Sequence, residues 1–145
     1  MQITDVTTDI TADVTADITI ILPCAGEGRR LGLDSPKELL EIVPGTRLID
    51  FSLAHIRAAA DKGIKLTVAV VSRPWKGEVP RYVAERLPGV KVETVMFNDA
   101  YHEWPGSVFS AHGLFSRYNM VLLPDSFLSF GSGFKTLKTT GAGNR

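Results

Sequence analysis

The chain has little of several things, and each shortage excludes a class of protein. Cys24 is the only cysteine among 145 residues, so no intrachain disulfide can form and a reducing, cytoplasmic setting is the expectation. No run of eighteen apolar residues occurs, so no membrane span is expected. The first residues lack a basic stretch followed by an apolar one, which argues against a standard secretion signal. There is no surplus of either charge: 16 Lys and Arg face 16 Asp and Glu, which argues against a dedicated nucleic-acid binder. A lone cysteine and scattered histidines at positions 55, 102 and 112 lack the spacing of a zinc site. Charge is also missing locally. No Lys or Arg precedes Arg29, and no Asp or Glu follows Asp125.

The rest of the composition is that of a folded domain. Apolar residues make up 44% and charged residues 22%, and a chain of this size can bury a sizeable core in one domain. Apolar runs alternate with amphipathic ones. Thr19 to Leu22, Lys65 to Val71, Val90 to Met96 and Asn119 to Leu123 read as strands from their short apolar or alternating runs, Lys65 to Val71 being strongly β-branched. Leu48 to Ala60 reads as a helix with Asp50 in its first turn, Leu53, Ile56 and Ala60 on one face, and Gly63 as its stop. Glu78 to Leu87 predicts a second helix with Tyr82, Val83 and Leu87 inward. Gly106-Ser107 is expected to open a third, running to about Tyr118. Pro44-Gly45 is a turn signal, and Ser72 to Gly77 reads as a loop with Trp75 as a surface lid or core plug. Alternating strands and helices at this spacing predict an α/β fold with a parallel sheet.

The two ends differ from the middle. From Asp9 to Thr19, Asp and Thr occupy odd positions and apolar residues the even ones, the period of a half-buried strand. Residues 126 to 145 are rich in Gly, Ser and Thr and read as a flexible tail. The expected division is an acidic extended segment at 1–17, an α/β domain at 18–128 and a Gly/Thr-rich tail at 129–145.

The stretch from Ile20 to Lys37, IILPCAGEGRRLGLDSPK, organises the chain. A buried strand ends at Pro23 and a loop with Gly26, Gly28 and Gly32 follows, carrying Arg29 and Arg30, with Lys37 beyond. Glycines let a backbone approach a ligand closely, and successive N–H groups form an anion-binding nest. A surface turn with its arginines in water is the competing reading. The spacing does not match the dinucleotide fingerprint, since Gly32 falls one place late, and no Gly-Lys-Ser/Thr run follows as a P-loop requires.

Leu22-Pro23-x-Ala25-Gly26-x-Gly28-x-Arg30-Leu31, followed by Pro36-Lys37, resembles the signature of the sugar-phosphate nucleotidyltransferases. The resemblance covers about residues 18 to 128. It implies a three-layer, Rossmann-like fold of the GT-A type with a mostly parallel sheet. It implies that Ala25, Gly26, Gly28 and Arg29 wrap the nucleotide, that Arg30 holds the outer phosphates, and that Lys37 reaches the α-phosphate and the acceptor. Leu123-Pro124-Asp125 resembles the family's first metal-binding aspartate after a buried strand, with Asp125 as ligand of Mg2+. Gly106-Ser107 resembles its Gly-Ser/Thr pair near the base. His102 is the one histidine near an expected acceptor.

The implied reaction is magnesium-dependent transfer of a nucleoside monophosphate from a nucleoside triphosphate to a sugar phosphate or similar acceptor, with pyrophosphate released. Arg30, Lys37 and Asp125 are the expected catalytic residues. The usual family domain is longer, and its further part carries most acceptor contacts and a second metal-binding aspartate. The alternative expectation is therefore a shortened, non-catalytic nucleotide-binding or assembly module. An unfinished sheet edge would make it a homo-oligomer. Neither reading calls for nucleic acid or a membrane.

Overall fold

A computed structural model describes residues 17–28 and 32–126, apart from the side chains of residues 103 and 104. The expected acidic segment at 1–17, apart from Asp17, and the tail at 129–145 lie outside the described residues, as do Arg29 and Arg30.

Strand β1 (Ile18–Pro23) is followed by a 3₁₀ turn (Lys37–Leu39), a small hairpin of β2 (Glu41–Val43) and β3 (Thr46–Arg47), and helix α1 (Asp50–Asp61). Then come β4 (Leu66–Ser72), a 3₁₀ turn (Pro74–Lys76), α2 (Glu78–Arg86), β5 (Lys91–Met96), α3 (Glu103–Ser110), a 3₁₀ turn (His112–Leu114) and β6 (Tyr118–Val121). Among the described residues the main sheet has four strands in the order β5-β4-β1-β6, and their three pairings are parallel. The α/β architecture with a parallel sheet is as expected, and at this coarse level it is Rossmann-like.

Central strands β1 and β4 are covered on both faces, so they are nearly continuous apolar runs. One face carries Ile20, Leu22, Val68 and Val70 against Leu53 and Ile56 of α1 and Val79 and Val83 of α2. The other carries Ile21, Ala69 and Val71 against Val108, Ala111 and Leu114 around α3. Each Val, Leu or Ile among them that is fully removed from water contributes about 1.5–3 kcal/mol. Helices on opposite faces follow from the topology. The chain steps from β1 to β4 to β5 in one direction, then returns past β1 to β6. Crossovers of constant hand must then switch faces. That reversal leaves a crevice between the carboxyl ends of β1 and β6, where open α/β sheets bind ligands.

Three local expectations need correction. Helix α3 begins at Glu103, so Gly106-Ser107 lies inside it. Pro105 is compatible because the first turn of a helix has no use for its missing N–H. The same helix stops at Ser110 instead of reaching Tyr118, since residues 118–121 are taken by β6. Trp75 is 64% exposed and is no core plug.

Candidate functional site

Beyond the carboxyl ends of the strands lies a cleft of about 490 Å³, lined among others by Ala25, Gly26, Lys37, Arg73, Ser107 and Asp125. Five of the residues expected at a site from sequence thus share one cavity: Ala25, Gly26, Lys37, Ser107 and Asp125. Gly28 and Gly106 are not among its lining residues. Gly28 has φ +64°, a left-handed conformation that favours glycine and lets the loop leave the strand sharply. Gly106 is buried in α3, where a Cβ would stand 2.7 Å from the Tyr101 Cβ. Its role is close packing of α3 on the preceding loop, which seats Ser107 against the cleft. His102 is exposed before α3 and is not a lining residue.

The two walls of the cleft come from different parts of the sheet. On the β6 side, the chain continues the ladder past the strand, with Leu122 N–H donating to the Ile21 carbonyl at 3.0 Å. The Ser52 hydroxyl of α1 donates to the Leu123 carbonyl at 2.9 Å. Together they fix the segment that presents Asp125. The Asp125 Oδ2 lies 2.7 Å from Lys37 Nζ, and both side chains keep contact with solvent.

On the β4 side, sequence reasoning missed the principal residues. Lys76 and Glu38 form a buried ion pair, Nζ to Oε2 2.8 Å. Lys76 Nζ also donates to the Cys24 carbonyl at 2.6 Å and to the Gly26 carbonyl at 2.8 Å. The Arg73 Nε donates to the Ala25 carbonyl at 3.0 Å. Its guanidinium pairs with Asp99 at 2.9 Å and lies 4.4 Å from the Phe97 ring centre. The carbonyls of residues 24, 25 and 26 are therefore all held by cationic side chains from the segment that follows β4. Cys24 is buried in the core. Burial pushes its thiol pKa far up, and the nearby Glu38 carboxylate adds to the shift, so it is no nucleophile at neutral pH.

The one signal that could have found Arg73 and Lys76 is positional. They follow directly on β4, at the edge where such sheets bind ligands. Among the described residues, no group of three or more His, Cys, Asp or Glu side chains is arranged to hold a metal. Asp125 offers one hard oxygen donor group facing the cleft, which suits Mg2+ where substrate phosphates complete the shell. Also among the described residues, no helix is long and apolar enough to cross a membrane.

Comparison with protein-family models and with the curated proteins returns no match.

Proposed function

We propose that the cleft binds a nucleoside triphosphate and transfers its nucleoside monophosphate to a sugar phosphate or similar phosphorylated acceptor, in a GT-A type variant of the Rossmann-like fold. The observation that carries this reading is the exposed Lys37–Asp125 pair at 2.7 Å, facing the glycine loop across a cleft beyond the strand ends. An acceptor phosphate oxygen attacks the α-phosphorus and forms a P–O bond. The bond from the α-phosphorus to the bridging oxygen breaks, and its electron pair leaves with pyrophosphate. A phosphate acceptor is already ionised, so catalysis is alignment and neutralisation of charge rather than proton transfer. Lys37 exchanges Asp125 for the α-phosphate and acceptor, which is inexpensive for a solvated pair. The N–H groups of the Ala25–Gly28 loop cradle the phosphates, and by the resemblance Arg30 grips the outer ones. When bound, magnesium would be held by Asp125 and phosphate oxygens and would neutralise phosphate charge.

The test is to incubate the protein with each nucleoside triphosphate, magnesium and a panel of sugar phosphates and to measure pyrophosphate. Release that Lys37→Ala and Asp125→Asn abolish supports the reading. Triphosphate binding without release from any pair favours a second reading, a non-catalytic nucleotide-binding or assembly module. That second reading is favoured by β6, which among the described residues is an outer strand of the main sheet with Tyr118–Val121 all exposed, since an open strand edge invites a partner. A purely monomeric mass by light scattering over a wide concentration range would remove the assembly part.

A further inference from the structure

The carbonyl groups of Cys24, Ala25 and Gly26 share an arrangement that ordinary loop packing does not require. Lys76 Nζ takes the first and third, at 2.6 and 2.8 Å, and Arg73 Nε takes the second, at 3.0 Å. Lys76 has three N–H donors. Two go to these carbonyls and Glu38 takes the third, at 3.0 Å to Oε1. Lys76 is buried and paired with the buried Glu38 carboxylate, so it is no free cation waiting for substrate. A trans peptide is planar, and its C=O and N–H point in opposite directions. Fixing the carbonyls of residues 24, 25 and 26 toward cations therefore turns the N–H groups of Ala25, Gly26 and Glu27 away from them. Those three residues line the cleft. A carbonyl turned into the cleft would carry its negative end toward an anion and repel it. Holding the carbonyls elsewhere removes that alternative before any ligand arrives.

We propose that Lys76, assisted by Arg73, is a positioning residue that locks the loop with its N–H side toward a polyphosphate, without touching the ligand. This deepens the functional reading above and rests on it. Glu38 neutralises Lys76 and keeps it in the dry floor, while the carbonyl bonds of Lys76 set the loop's orientation.

Inorganic tripolyphosphate serves as the probe. Its affinity is measured by calorimetry for the full chain, for Glu38→Gln and for the double variant Glu38→Gln/Lys76→Met. The single variant keeps the lysine on its carbonyls, and the double variant removes both charges at nearly constant volume. Melting is recorded first, and affinities are compared at a temperature where each is folded. The expected result is a loss of about tenfold or more in the double variant, the cost of weakening a charge-assisted contact set, and a several-fold smaller loss in Glu38→Gln. Equal losses in the two variants, or a folded double variant that binds like the wild type, overturn the proposal alone. Wild type that binds neither tripolyphosphate nor any nucleoside triphosphate overturns the functional reading and the proposal with it. If the double variant does not fold, the wild type decides. On adding tripolyphosphate, the amide protons of Ala25, Gly26 and Glu27 should move downfield as they donate to the anion, and unmoved resonances overturn the proposal.

Discussion

Lys37 and Glu38 are neighbours in the chain, and each makes an ion pair of nearly equal length. Lys37 meets Asp125 at 2.7 Å and Glu38 meets Lys76 at 2.8 Å. The surroundings differ. The Lys37 and Asp125 side chains are 27% and 38% exposed, whereas Lys76 and Glu38 are 4% and 0% exposed. Consecutive residues of one 3₁₀ turn (Lys37–Leu39) thus face opposite ways, one into a wet cleft and one into a dry floor. In water an ion pair exchanges partners at little cost. Under the loop, each charge depends on the other, and the lysine also on two carbonyl groups. The difference teaches that distance alone does not tell a working contact from a holding one, and that burial does.

The strongest way to break this comparison is to remove one buried charge. Lys76→Met leaves the Glu38 carboxylate uncompensated in the floor and should cost about 3–5 kcal/mol of stability, read by urea denaturation. A loss no larger than that of Lys37→Ala would make the two pairs equivalent and sink the distinction.

On the wet side, the large effect should fall on binding and spare the fold. Lys37→Ala should weaken tripolyphosphate affinity by about 10–100-fold, the equivalent of one charge-assisted hydrogen bond, with a stability change under about 1 kcal/mol. Calorimetric titration and denaturation on the same sample check both halves.

The floor also has a pH signature. Burial holds the Cys24 pKa above its ordinary value of 9.0. Above about pH 9 the unfolded chain releases this proton while the folded chain keeps it. The unfolded state then binds fewer protons, so stability falls as pH rises. The contribution is complete below pH 9 and is lost upward from there, by as much as about 1.4 kcal/mol per pH unit for one group. Cys24→Ala should flatten the alkaline limb of the stability curve by that slope. An unchanged limb would mean that water reaches the floor.

The smallest effect expected is that of Asp125→Asn on stability in the absence of magnesium, within about 1 kcal/mol and shrinking further with salt. In the same variant, triphosphate binding should fall more with magnesium than without it. Equal losses in the two conditions would detach Asp125 from the metal.

Much of the fold was legible in the sequence, because the central strands are buried on both faces and write nearly continuous apolar runs, as at 68–71 within Leu66–Ser72. Helix α1 was legible from Leu53 and Ile56, one turn apart on its buried face. The start of α3 was not, since Pro105 reads as a breaker although a first turn tolerates it. Local motifs had pointed to Ala25, Gly26, Lys37, Ser107 and Asp125, which the fold brings to one cleft. Lys76 was missed because lysine is rarely buried and its partner Glu38 lies 38 residues earlier. A pair made across the sheet leaves no periodic trace in the chain. Arg73 was hidden in the same way, inside a short polar segment that reads as an ordinary turn.

The position of Cys24 gives the molecule a built-in clock. Its thiol is fully buried in the core cluster that includes Leu22, Val70 and Val79, its N–H donates to the Val71 carbonyl at 2.8 Å, and its own carbonyl is held by Lys76. A thiol reagent can therefore reach it only in the instants when the structure around it opens, locally or as a whole. Because Cys24 is the only cysteine, every labelling event reports an opening at that one place. With reagent in the regime where reclosing outpaces modification, the labelling rate divided by that of the unfolded chain equals the fraction of time Cys24 is accessible. An anion seated on the loop should lengthen the interval between openings, so the clock should slow in proportion to occupancy, with no label, dye or mutation introduced beforehand.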